Sequence, residues 1–269
     1  MDKRPIGVFD SGIGGLTTVK QLTRCLPTED IIYLGDTARV PYGSRSRETI
    51  IKYAKQDAQF LTKLDIKAMV VACNTVSSVA YNELKNTYKM PIFEVISTPS
   101  KIAADSTKNG KIGIIGTAAT VSSGAYEVEL KSISPRLQVF SKPCRLFVSL
   151  VEEGRTDADD IAALTIAEDY LAELRDEIGI DTLIMGCTHY PLLYDVISKV
   201  MGSEITLIDS GAETAKHVAR ELGTMNLLTN QASGTVKYYI TDNIDGFSRL
   251  ASRFLQSSVY GNVERVSIG

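Results

Sequence analysis

Two stretches decide the fold: Met69-Val70-Val71-Ala72-Cys73-Asn74-Thr75 and Leu183-Ile184-Met185-Gly186-Cys187-Thr188-His189. Each is a short apolar run of the kind buried on both faces of a parallel sheet. Each ends in a cysteine with a hydroxyl residue just beyond it. An earlier pair repeats the arrangement. Gly7-Val8-Phe9-Asp10-Ser11-Gly12 and Gly113-Ile114-Ile115-Gly116-Thr117 are both strands running into small-residue turns. The cysteines stand 114 residues apart and the glycines that open the earlier pair 106 apart, in the same order. Buried strands all look alike, so either match alone is weak. Together, with matched cysteine endings, they predict two related α/β halves.

Further apolar runs at 31–34, 92–95, 137–140 and 206–208 read as strands, beside those at 6–9, 69–72, 112–115 and 183–185. Amphipathic stretches separate them, with 157–178 the longest. This alternation predicts parallel sheets covered by helices. Beyond the second half come a strand at 236–240 and a helix at 245–256, with apolar spacing at Phe247, Leu250, Ala251 and Phe254. This terminal unit is expected to return to the first half. There is no Gly/Ser- or Pro-rich linker, so the halves should pack closely.

Bulk properties exclude several function classes. A net charge of −3 leaves no basic footprint for nucleic acid. No apolar run is long enough for a membrane span, and the N-terminal one is too short for a signal-peptide core, so a cytoplasmic location is expected. Cys25, Cys73, Cys144 and Cys187 form no CxxC pair and should be free thiols. The two histidines, His189 and His217, make no local metal motif, so no metal is expected.

In open α/β sheets, ligands bind at the carboxyl ends of strands. Two facing halves would bring Asp10-Ser11-Gly12, Cys73-Asn74-Thr75, Gly116-Thr117 and Cys187-Thr188-His189 into one interdomain cleft. A thiol at a strand end that opens a helix should have its pKa lowered by the helix N-terminus. Two thiols on opposite faces of a substrate could invert a carbon stereocentre, one removing a proton and the other supplying one. Either cysteine alone reads equally as a buried filler. The matched pair favours chemistry, whereas Cys25 and Cys144 lack that setting.

The supporting residues are more ambiguous. Asp10-Ser11-Gly12-Ile13-Gly14-Gly15 could bind an anion through backbone N–H groups, or its Asp could hold an ammonium, assist a thiol or cap a helix. It matches neither a Walker loop nor a dinucleotide fingerprint. Pro41-Tyr42-Gly43, within the 36–44 loop, is turn chemistry that can also line a cleft. His189 could polarise Cys187 or simply pack. His217 reads as solvated, as does Glu152 at a helix end. Arg39, Arg45 and Arg47 read as a solvated basic face.

Four blocks together carry a resemblance: 8–15, 36–43, Ala72-Cys73-Asn74-Thr75 and Gly186-Cys187-Thr188-His189-Tyr190-Pro191. In order and over essentially the whole chain, the sequence resembles bacterial glutamate racemases of the aspartate/glutamate racemase superfamily. The resemblance implies two pseudo-symmetric parallel-sheet α/β domains, 1–97 plus 208–269 and 98–207, with the active site in the cleft between them. It implies cofactor-independent interconversion of L- and D-glutamate, which supplies D-glutamate for peptidoglycan, with no pyridoxal phosphate and no metal. Cys73 would take the proton from D-glutamate and Cys187 from L-glutamate. Asp10 would support the first thiol, and Glu152 and His189 the second. Asn74, Thr75, Thr117, Thr120 and Thr188 would surround the α-carboxylate. Ser11, Pro41, Tyr42 and Gly43 would hold the side-chain carboxylate, and Asp10 and His189 also join the binding set. The only implied partner is the small-molecule substrate, with neither nucleic acid nor membrane, and homodimerisation is left open.

Three alternatives compete. An aspartate racemase shares the two cysteines but usually lacks the His-Tyr-Pro continuation. A non-catalytic amino-acid-binding module would leave the thiol pair unexplained. A thiol-redox protein would need the sulfurs to reach a disulfide distance of ~2.05 Å.

Overall fold

The computed structural model describes residues 1–259 and 261–268. Its strands in chain order are β1 (Ile6–Asp10), β2 (Ile31–Gly35), β3 (Ala68–Val71), β4 (Ile92–Glu94), β5 (Lys111–Gly116), β6 (Gln138–Pro143), β7 (Thr182–Gly186), β8 (Thr206–Asp209), β9 (Val236–Ile240) and β10 (Val263–Arg265). They form a six-stranded sheet, ordered β10-β9-β2-β1-β3-β4, and a four-stranded sheet, ordered β6-β5-β7-β8. Every pairing is parallel.

The inner order of the first sheet repeats in the second, with β2-β1-β3-β4 matching β6-β5-β7-β8. Val8 of β1 pairs with Tyr33 and Val70, and Ile114 of β5 pairs with Ser141 and Ile184 in the same way. Cys73 and Cys187 therefore follow equivalent strands, β3 and β7. The strand at 236–240, β9, returns to the first sheet as expected and lies beside β2.

Burial explains why these segments become strands. β1, β3 and β7 are buried at every position, as a largely apolar sequence allows on both faces, with Asp10 and Thr182 the polar exceptions. Side-chain caps fix several helix starts. Ser46, Thr117, Asp160 and Asp209 accept the N–H groups of Thr49, Thr120, Ala163 and Ala212. One continuous apolar core runs from Ile6, Leu16 and Leu22 through Phe147, Leu183 and Tyr190 to Phe247 and Phe254. The two sheets thus share packing instead of hanging on a linker.

Four expectations need correction. The helix expected over 157–178 begins at Ile161, after the Asp160 cap, and its last turn, Glu173–Ile178, is a π-helix. Neither Asp10 nor Ser11 caps the helix that follows, which starts at Leu16 with Gly15 in the cap position. His217 is half-buried, with its ring edge-on to Phe93 at 5.7 Å. Arg39 is no part of a solvated face, since its guanidinium bonds Asp36 (2.5 Å), Gln56 (2.5 Å) and Asp57 (3.0 Å) and lies over the Tyr53 ring. Arg45 and Arg47 are exposed.

Candidate active site

A cavity of about 100 Å³ opens between the carboxyl ends of the two sheets. Ser11, Pro41, Tyr42, Gly43, Cys73, Asn74 and Thr75 line it from the first half. Thr117, Glu152, Cys187, Thr188 and His189 line it from the second. Asp10 and Thr120 are the two candidate residues absent from the wall. Both are buried directly behind it. Gly12 and Ile13, from the glycine turn noted in the sequence, and Val40 and Val148, whose apolar side chains carry no chemical signal, complete the lining.

The first thiol sits at the N-cap position of the helix Asn74–Thr87. It is 5% exposed, and its Sγ donates to Ser11 Oγ at 3.5 Å. Burial, and next the negative charge of Asp10, push this thiol up to about 12. The helix N-terminus was expected to lower it, but desolvation and a neighbouring carboxylate outweigh that effect. Asp10 is itself buried, which raises its pKa, while the charge of His189 opposes the rise. Asp10 Oδ2 accepts the Gly12 N–H at 3.0 Å, so this glycine-turn donor is already used within the protein. Tyr33 fixes the same turn by donating to the Gly12 carbonyl at 2.9 Å.

The second thiol has a different setting. Cys187 is also 5% exposed, but the chain beyond it forms a short 3-10 helix, Tyr190–Leu193, before the α-helix Tyr194–Met201. Cys187 therefore caps no α-helix, contrary to expectation. His189 stands beside it, with Nε2 3.1 Å from Glu152 Oε1. Burial pulls His189 down, but hydrogen bonds to Cys187 and Glu152 outweigh this and raise it to about 10. Glu152 is thus more than a solvated helix end, although its side chain remains 44% exposed.

The two halves meet closely around the cavity. A Cβ on Gly14 would fall 2.2 Å from Thr188 Oγ1 and 2.5 Å from His189 Nδ1, so only glycine fits there. Gly43 is similar, since a Cβ there would lie 2.9 Å from the Thr117 Cβ. Thr17 donates to the Thr188 carbonyl at 2.8 Å. Three hydroxyls gather across the seam, with Thr75 Oγ1 2.9 Å from Thr117 Oγ1 and Thr120 Oγ1 3.0 Å from Thr117 Oγ1. Thr120 reaches the site through these neighbours.

Two supports were missed in the sequence. Tyr126 donates to Asn74 Oδ1 at 2.6 Å, and Asn74 Nδ2 donates to Ser210 Oγ at 3.3 Å. Both partners come from helices with no local motif, and nothing in their spacing points to the site. All four cysteines are free thiols. Among the described residues, no group of three or more His, Cys, Asp or Glu side chains is placed to hold a metal ion, and no helix is long and apolar enough to cross a membrane.

Comparison with known proteins agrees with this geometry. The family model for Asp/Glu/Hydantoin racemase matches residues 6–218. A glutamate racemase of Geobacter metallireducens is 46% identical, covering 100% of this chain and 98% of its own. The structure of the Francisella tularensis glutamate racemase in complex with D-glutamate superimposes with a TM-score of 0.92 at 39% identity, covering 99% of this chain and 98% of that one. That of the Bacillus anthracis isoform RacE1 gives 0.94 at 36% identity, with the same coverage.

Proposed function

Because this chain belongs to the Asp/Glu/Hydantoin racemase family, we propose that it interconverts L- and D-glutamate by moving the α-proton between Cys73 and Cys187. The observation that carries this reading is the pair of buried thiols, placed after equivalent strands of two sheets and lining one cavity. One thiolate removes the Cα proton, so a C–H bond breaks and an S–H bond forms. The opposite thiol then protonates the carbanion from the other face, and its sulfur keeps the electron pair. The net change is inversion with no oxidation, and reversal exchanges the two roles.

Asp10 supports Cys73 from behind, while His189 and Glu152 support Cys187. Asn74, Thr75, Thr117 and Thr188 suit the α-carboxylate, and Thr120 orients Thr117. Ser11 and the Pro41-Tyr42-Gly43 loop suit the side-chain carboxylate. The division into 1–97 plus 208–269 and 98–207 follows the same reading, as does supply of D-glutamate to peptidoglycan.

The test is incubation of the metal-stripped protein with L-glutamate in D2O, following optical rotation and deuterium at Cα, and then the same with L-aspartate. Inversion of glutamate with deuterium incorporation is expected. Folded protein that inverts neither substrate would sink the proposal, and inversion of aspartate alone would reassign the substrate. Aspartate is the sharp control, because a one-methylene difference is discriminated by only about 1–3 kcal/mol.

A further inference from the structure

We propose that Asp57 is held as a neutral carboxylic acid that donates its proton to the Tyr42 phenol oxygen, which makes it the positioning residue for the 36–43 loop. Tyr42 lines the cavity, yet its hydroxyl bonds two buried carboxylates that do not line it. The atoms it meets are Asp36 Oδ2 and, at 3.0 Å, Asp57 Oδ2. Both carboxyl side chains are 0% exposed.

Counting protons decides the arrangement. A phenol has one proton to donate and lone pairs to accept. Asp36 already accepts from Arg39 Nε at 2.5 Å and from Thr241 Oγ1 at 2.9 Å, and it takes the phenol proton as well. Among the described residues, Asp57 Oδ1 accepts only from Arg39 Nη2, at 3.0 Å. Two ionised carboxylates would leave Asp57 Oδ2 facing the phenol oxygen with no proton between them. A proton on Asp57 Oδ2 satisfies both atoms. It also balances charge, because one Arg39 cation then faces one anion instead of two. An unbalanced buried charge is costly, and such groups neutralise.

The groups acting on Asp57 are Asp36, Arg39 and Tyr42 from the loop and Asp10 from β1; around them, Gln56 and Tyr53 of the helix Arg47–Thr62 contact Arg39, and Thr241 after β9 bonds Asp36. Arg265 lines the adjoining cavity with Asp36 and Arg39. Burial, and next the Asp36 charge, raise the Asp57 pKa, against the pull of Arg39. The acid thus ties the loop to the helix from beneath while Gly43 touches Thr117 from above.

The kinetic part of the test rests on the glutamate racemase reading, and the spectroscopic part does not. Asn is an isostere of the neutral acid, able to donate to Tyr42 and accept from Arg39. Asp57→Leu should raise KM for glutamate by roughly ten- to a hundredfold, with a smaller fall in kcat, because a misplaced loop loses binding more than chemistry. Asp57→Asn should restore KM to within about threefold of native, since it removes no hydrogen bond. Infrared spectra of protein with 13C-labelled aspartate should show, at pH 8, a protonated-carboxyl band that Asp57→Asn removes and Asp10→Asn leaves. The proposal is overturned if no such band is lost. It is also overturned if Asp57→Asn behaves like Asp57→Leu or fails to fold. A chain inactive on glutamate that still loses the band on Asp57→Asn would overturn the substrate reading and leave the protonated acid standing.

Discussion

The two thiols occupy equivalent places in two equivalent sheets, yet their surroundings carry opposite charge. Cys73 lies over a buried carboxylate and is held protonated at neutral pH. Cys187 lies beside an imidazole whose pKa of about 10 keeps it cationic there. The backbone repeat supplies symmetry of position, and the side chains behind each sulfur break the symmetry of charge. Under the proposed mechanism, the carboxylate behind Cys73 favours its giving a proton, and the imidazolium beside Cys187 favours its taking one. That asymmetry suits removal of a proton from L-glutamate by Cys187 in the proposed mechanism. Turnover in the other direction requires the two thiols to exchange protonation states.

The largest effect should come from removing either sulfur. Cys73→Ala and Cys187→Ala should each cut racemisation by at least about 10²–10⁴-fold, measured by circular dichroism of glutamate, since positioned acid–base groups contribute on that scale. A double variant inverting at the native rate would end the two-thiol account and make the comparison irrelevant to catalysis.

Removing the cation should be next. His189→Asn should lower kcat by roughly 10²-fold. It should also abolish an alkaline limb near pH 10 in the rate profile, where the native imidazolium loses its proton. The same group links pH to stability. Its folded pKa lies above its unfolded value of 6.5, so its stabilisation is complete below pH 6.5 and disappears as pH rises through about 10. The stability gap between native protein and His189→Asn, read from urea unfolding, should therefore shrink from pH 6 to pH 11. A constant gap would show that His189 acts only by packing, with its ring edge-on to Phe254.

The smallest effect belongs to the outermost partner. Glu152→Gln should reduce kcat by only about two- to fivefold, because exposed ion pairs are screened and are worth at most about 1 kcal/mol. It should also move the alkaline limb downward, since a charge that holds the imidazolium is lost. A loss as large as that of His189→Asn would make the carboxylate a direct participant.

The parts of this asymmetry differ in how far they can be read from sequence. The eight strands around the two thiols are legible because each carries a short apolar run between amphipathic stretches, and the cysteines mark the tips of β3 and β7. β10 is not, since Val-Glu-Arg is short and mixed and its identity as a strand comes only from lying beside β9. The thiols, His189 and the 41–43 loop are legible through local motifs. The electrostatic bias is not, because desolvation of Cys73 depends on what the fold stacks above Asp10. Asp57 is hidden for a similar reason. Along the helix Arg47–Thr62 it looks like one more polar position, and only tertiary packing turns it toward Tyr42. Arg39 was misread for the complementary reason, as its buried acceptors come from residues up to 18 positions away.

The sheet order also bears on how the chain is made. The four-stranded sheet uses one continuous stretch, so it can close as soon as β8 leaves the ribosome. The first sheet cannot, because β2 waits for β9 to cover its open edge. About 200 residues separate Gly35 from Val236, a delay of roughly 10–40 s at ordinary translation speeds. During that interval β2, which leads directly into the loop of Asp36 and Tyr42, presents unpaired backbone groups and a buried-type apolar face to other nascent chains. The sheet whose strands come first in the sequence is completed only after the other, and β9 covers the β2 edge against mispairing.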